Sequence, residues 1–113
     1  MAEHIKIRPA KGTWVVRAKG AVLAESVDAL ELSEGEYAPV IYFPRDDVAM
    51  AFLEKTASST TCPHKGAATY YAIHSKSGVM PDAAWSYETP VKAVDAISGY
   101  LAFFGDKVTV EQL

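Results

Sequence analysis

The sharpest chemical signal in this chain is Thr60-Thr61-Cys62-Pro63-His64-Lys65-Gly66. Pro63 pushes Cys62 towards extended geometry. In an extended segment Cys62 and His64 point to the same side. A thiol beside an imidazolium and the Lys65 ammonium has its thiolate favoured by Coulomb attraction, as a nucleophilic or redox cysteine requires. Gly66 then lets the backbone approach a ligand closely. The competing reading is a tight turn around a buried, inert thiol, since free cysteine is among the most buried residue types. Lys65-Gly66 is not a Walker loop, because the glycine follows the lysine and a strand comes next. Lys65 as a single ligand-facing ammonium is compatible with the sequence.

Arg45-Asp46-Asp47 offers adjacent carboxylates, which suit magnesium or acid–base work if they converge. Neighbouring residues at a helix start usually diverge, and N-capping accounts for one of them. Capping is the preferred reading. His4, His64, His74 and Cys62 have no recognised zinc spacing, so no metal site is expected. The identity of any cofactor is not legible.

The other conspicuous set is aromatic. Tyr42, Tyr70, Tyr71, Trp85 and Tyr87 all fall in the middle of the chain. Sheet aromatics mostly fill cores, yet Tyr and Trp keep a polar handle and can line a concave site for planar or cationic ligands. A small-ligand pocket built from Tyr42, Cys62, His64, Lys65, Tyr70, Trp85 and Tyr87 is the leading expectation.

The elements that must position these residues are mostly strands. Thr13–Ala18 and Ala21–Ala24 flank a Lys19-Gly20 turn. Leu30–Leu32 is a weaker strand, and Ala38–Phe43 a stronger one, with Pro39 suited to an edge. A short helix is expected near Asp46–Glu54, with Val48, Ala51 and Phe52 on one face. Strands follow at Ala67–His74 and Asp82–Glu88, with Gly78 in the turn between them. Ala83, Trp85 and Tyr87 share one face of the second strand; Ala84, Ser86 and Glu88 share the other. A second short helix near Pro90–Ser98 has Thr89 as cap, Pro90 at its first position and Gly99 at its end. Tyr100–Phe104 and Val108–Val110 finish as strands. Antiparallel pairing of Ala67–His74 with Asp82–Glu88 would put the Cys62–Gly66 turn in one cleft with Trp85 or Tyr87.

The 113 residues suit one domain, 1–113, with no repeat or low-complexity tract to divide them. Half are hydrophobic and 22% charged, which argues against disorder. A net charge of −3 disfavours nucleic acid and anionic membrane as partners. The amino-terminal Met1–Lys6 has no signal-peptide pattern, and no apolar run approaches the roughly 20 residues of a membrane span. A soluble cytoplasmic protein is expected, and one cysteine fits a reducing compartment. A small molecule is the expected partner; a homo-oligomer is compatible with the sequence but not legible in it. The whole reads as a β-dominated α+β fold with two short helices.

The ordered motifs resemble a known bacterial family. They are Tyr42-Phe43-Pro44-Arg45-Asp46-Asp47-Val48, Thr61–Ala67, Tyr70-Tyr71, Ala84-Trp85-Ser86-Tyr87 with Pro90, and Ile97 with Gly99-Tyr100 and Ala102-Phe103. Together they are similar to domain of unknown function 427, over roughly Trp14 to Val110. The resemblance implies compact antiparallel sheets like those of the β-tent (Mss-four-like) architecture. Relatives of that architecture often hold zinc with two cysteine pairs; this chain has only Cys62, so zinc does not carry over. The family is in places labelled nucleotidyltransferase-like. The chain lacks the G-[SG]-x-D-x-D arrangement that would hold two magnesium ions against a triphosphate. Three function classes follow: a small-ligand pocket, binding or enzymatic; a nucleotidyltransferase using Asp46, Asp47 and Lys65; and an interaction module whose aromatics are simply core. Whether the protein is an enzyme is left open.

Overall fold

A computed structural model of the chain describes residues 4–113. Met1, Ala2 and Glu3, on which half of the amino-terminal reading rests, lie outside the described residues. Ten strands run in chain order: β1 (Ile5–Pro9), β2 (Trp14–Ala18), β3 (Ala21–Ser26), β4 (Leu30–Glu34), β5 (Val40–Tyr42), β6 (Leu53–Cys62), β7 (Gly66–Ser75), β8 (Gly78–Ser86), β9 (Ala102–Phe103) and β10 (Thr109–Gln112). They form three antiparallel sheets, ordered β1-β4-β5, β10-β2-β3 and β6-β7-β8-β9. The sheets do not close into a barrel.

One long strand carries no alternating signal in the sequence. β6 reads Leu-Glu-Lys-Thr-Ala-Ser-Ser-Thr-Thr-Cys and is exposed along most of its length. It is the edge strand of its sheet, and its side chains meet solvent instead of a core, so periodicity could not reveal it. β1 does alternate, as Ile5-Lys6-Ile7-Arg8, but it is only five residues long and is held by its pairing with β4.

Helix is scarcer than expected. The segment expected as a helix over Asp46–Glu54 is two separate three-residue 3-10 turns, Arg45–Asp47 and Met50–Phe52, followed directly by β6. Between them Val48 is extended (φ −111°, ψ 137°) and bridges Ala24 of β3. That bridge takes the backbone away from helical pairing, at a β-branched residue that suits it. Neither Asp46 nor Asp47 caps the first turn with its side chain. The second expected helix, Pro90–Ser98, shrinks to Lys92–Ile97, kinked at Val94. Val91 precedes it in extended geometry, so Thr89 does not cap it and Pro90 stands outside it.

Two apolar clusters hold the sheets together. One gathers Val16, Leu23, Phe43, Ile73, Leu101 and Phe103; the other gathers Leu32, Tyr42, Ala68, Tyr87, Val94 and Ile97. Full burial of a side chain such as Phe43 or Leu101 contributes about 1.5–3 kcal/mol. Phe43 and Leu101 also exchange both backbone hydrogen bonds, at 2.8 and 2.9 Å. This clamp docks the end of β5 beside β9 and so brings Tyr42 up to the β6–β9 sheet. No helix among the described residues is long and apolar enough to cross a membrane.

Candidate functional site

The Cys62–Gly66 segment is a hairpin turn. Pro63, His64 and Lys65 connect β6 to β7, and the Lys65 amide donates to the Cys62 carbonyl at 3.2 Å. The chain is therefore not extended here, and the shared side expected for Cys62 and His64 is lost. His64 instead packs edge-on against His4, with ring centres 4.6 Å apart. No hydrogen bond joins Cys62 to His64 among the described residues. Gly66 does approach backbone closely, at φ +115°, but the backbone is that of Thr89–Val91. The Val91 amide donates to the Lys65 carbonyl at 3.0 Å and fixes the turn there.

Lys65 points inward and is only 9% exposed. Its ammonium donates to Glu34 Oε1, at the end of β4, at 2.5 Å, and stands 5.9 Å from the centre of the Tyr87 ring. Glu34 Oε2 lies 3.5 Å from His4 Nε2. Around this pair lies a pocket of about 260 Å3, walled by Tyr42, Tyr70, Trp85, Tyr87 and Phe104. Antiparallel register sets Tyr70 directly opposite Trp85. Tyr42 meets Trp85 edge to face at 6.3 Å, and the Trp85 indole N–H donates to the Tyr42 hydroxyl at 3.3 Å. Phe104 stacks on Tyr70 at 6.4 Å and leans on Trp85 at 4.5 Å.

The charges in the pocket are settled by these contacts. The hydrogen bond from Lys65 holds the Glu34 carboxyl below its ordinary range, against the opposing effect of burial. Burial pulls the Lys65 ammonium down, but Glu34 and the neighbouring Tyr87 and Cys62 outweigh it, and the net shift is upward. Lys65 is therefore a fixed cation at neutral pH and not a free amine nucleophile. Burial raises the Tyr42 and Tyr87 phenols, so both keep their protons. The site thus presents an aromatic slot, a neutralised charge pair and phenolic donors.

Five of the expected residues, Tyr42, Lys65, Tyr70, Trp85 and Tyr87, line this one pocket. Cys62 packs half-buried against the same apolar cluster without lining the pocket. Asp46 and Asp47 lie elsewhere. Asp47 accepts a 2.6 Å hydrogen bond from the Ser26 hydroxyl, and Asp46 edges a separate hollow beside Gly99 and Tyr100. Asp46, Asp47 and Lys65 therefore do not meet at one site. Glu88, on the other face from Trp85, takes Arg45 at 2.9 Å and the Tyr71 hydroxyl. No three His, Cys, Asp or Glu residues are grouped to hold a metal among the described residues.

A family model described as "Domain of unknown function (DUF427)" matches residues 6–112. The chain belongs to this family. No match is found among curated proteins.

Among the pocket residues of this DUF427 chain that were not legible beforehand are Glu34, Tyr37 and Phe104. Glu34 sits in a Ser-Glu-Gly-Glu stretch that reads as a turn, and only the β4 pairing carries its carboxylate to Lys65. Phe104 ends an apolar run that reads as core. Its amide donates to the Ala83 carbonyl at 3.0 Å, which swings the ring over Tyr70 and Trp85.

Proposed function

We propose that this DUF427 domain binds a small planar molecule in the pocket between β5, β7 and β8. The reading rests on one observation: the rings of Tyr42, Tyr70, Trp85, Tyr87 and Phe104, drawn from four segments of the chain, surround the Lys65–Glu34 pair at a single hollow. A pocket of about 260 Å3 is smaller than the roughly 300–1,000 Å3 of drug-sized sites. That size suits a ligand of one or two rings. Opposite charges on Lys65 and Glu34 cancel, so a neutral ring is favoured over an ion. The phenols of Tyr42 and Tyr87 supply donors, so carbonyl oxygens or ring nitrogens on the ligand edge would be met. The three small antiparallel sheets support a β-tent arrangement, and the unpaired Cys62 thiol supports a reducing, cytoplasmic setting.

The test is a thermal-shift panel of nucleobases, nucleosides and aromatic acids, each with and without magnesium. A ligand at about 100 times its Kd adds about 2.7 kcal/mol, which raises Tm by on the order of 10 °C in a domain this size. The shift should vanish in Trp85→Ala and persist without magnesium. A shift from nucleoside triphosphates that requires magnesium would transfer the reading to nucleotidyl transfer. No shift from any member of the panel would leave the aromatics as core.

A further inference from the structure

A second hollow lies far from the Lys65 pocket in the fold, between the tips of two hairpins. The β2–β3 turn contributes Lys19 and Gly20, and the end of β7 with its turn into β8 contributes Ser75, Lys76 and Ser77. Its volume is about 260 Å3. Ala18, Ala21, Leu23 and Ile73 form an apolar floor, and Phe52 supplies a wall. Phe52 is 44% exposed, unusual for a ring of that size beside a core it could have joined.

The rim of this hollow is cationic. Neither Lys19 nor Lys76 makes a side-chain hydrogen bond or an ion pair among the described residues. His74, which also lines the hollow, lies 2.6 Å from the Glu54 carboxylate, so one acid stands near the two lysines. Lys19 also occupies a left-handed backbone position, φ +49°, where glycine, asparagine or aspartate is the ordinary choice in a hairpin turn. A lysine kept at a position that disfavours it is a cost that a ligand contact would offset.

The geometry points to a binding site for a short alkyl carboxylate, with its chain against Phe52, Leu23 and Ile73 and its carboxylate between Lys19 and Lys76. A water occupies about 30 Å3 of liquid, so the hollow has room for on the order of eight second-row atoms. Hexanoate has that many. An apolar floor favours the chain over a sugar or a polyamine. Two free ammonium groups select the anion over an alcohol or amine of equal length. The site is independent of the Lys65 pocket, which offers rings and a neutralised pair instead.

The experiment is a titration of the full-length protein at pH 7 with hexanoate, 1-hexanol and hexylammonium, followed by amide nitrogen–proton NMR. Hexanoate should shift the amides of Lys19, Gly20, Phe52 and Ser75–Ser77, with a Kd about tenfold below that of hexanol. Hexylammonium should bind more weakly than either. Lys19→Ala/Lys76→Ala should bring hexanoate to the level of hexanol and leave hexanol unchanged. Raising salt from 0.05 to 0.5 M should narrow the preference in the parent protein, because the ammonium groups are exposed to solvent. Equal binding of all three probes, or shifts scattered away from the two hairpin tips, would overturn the assignment. So would an anion preference that survives in the double variant. Should that variant unfold, Lys76→Ser alone, at an ordinary turn position, carries the same comparison.

Discussion

Lys65 Nζ donates to Glu34 Oε1 at 2.5 Å, joining the β6–β7 turn to the end of β4 across 31 positions of sequence. The two side chains are 11% and 20% exposed, so this pair is shielded well beyond an ordinary surface bridge. It also connects two of the three sheets at the mouth of the aromatic pocket. Removing one partner leaves the other partly buried without its counter-charge. Lys65→Ala and Glu34→Ala should each lower stability by about 1–3 kcal/mol in urea denaturation. The double variant should cost less than the sum of the two. Strict additivity would mean that the pair contributes no coupling.

The same pair sets a pH dependence at both ends. Glu34 has its pKa lowered on folding from an ordinary 4.5, so its stabilisation is present above that value and lost as pH falls through the folded value. Lys65 has its pKa raised from 10.5, so its stabilisation is present below that value and lost as pH rises through the folded one. The contribution of this pair should therefore be constant between these limits and fall on both sides. Glu34→Gln should make the acid limb shallower, because one carboxylate that resists protonation is gone. An unchanged slope in urea titrations between pH 5 and 3 would contradict the linkage. Glu88 should contribute in the same direction, since the Tyr71 hydroxyl and Arg45 also lower its pKa.

Gly66 and Gly78 are both fixed by backbone conformation. Both have φ well into the positive region, +115° and +124°. A Cβ at Gly78 meets nothing within 4 Å, whereas at Gly66 it meets Pro90 Cα at 3.4 Å and the Thr89 oxygen at 3.5 Å. Gly78→Ala should cost about 1–3 kcal/mol from conformation alone. Gly66→Ala should cost about the same in urea denaturation, because contacts at 3.4–3.5 Å are ordinary van der Waals distances and the positive φ dominates at both positions.

Cys62 tests the turn geometry. The hairpin sets His64 against His4, and no hydrogen bond joins its imidazole to the Cys62 thiol among the described residues. Alkylation of Cys62 by iodoacetamide should change by less than about twofold in His64→Ala at neutral pH. A large slowing would place a Cys62–His64 pair back at the centre of the chemistry.

Much of the fold was legible in the residues alone because local physics governs it. Lys19-Gly20 between two β-branched runs specifies a hairpin, and alternation around Trp85 and Tyr87 places both rings on one face; each depends only on near neighbours. The antiparallel pairing of β7 with β8 follows from the short turn between them. The ordered motifs likewise pointed to the DUF427 family. Tertiary structure decided what depended on distant partners. Val48 left the helical state because Ala24 of β3 offered it a bridge. β6 became a strand without an apolar row because β7 supplied its hydrogen bonds. Lys65 turned inward, against the habit of lysine, because Glu34 waited at the end of β4 with a counter-charge. Asp47 was taken by Ser26 of β3, which removed it from any site shared with Lys65. In each case the deciding energy is a contact between segments far apart in sequence. Residue spacing encodes what a short stretch prefers, and only the closed chain reveals which partner overrides that preference.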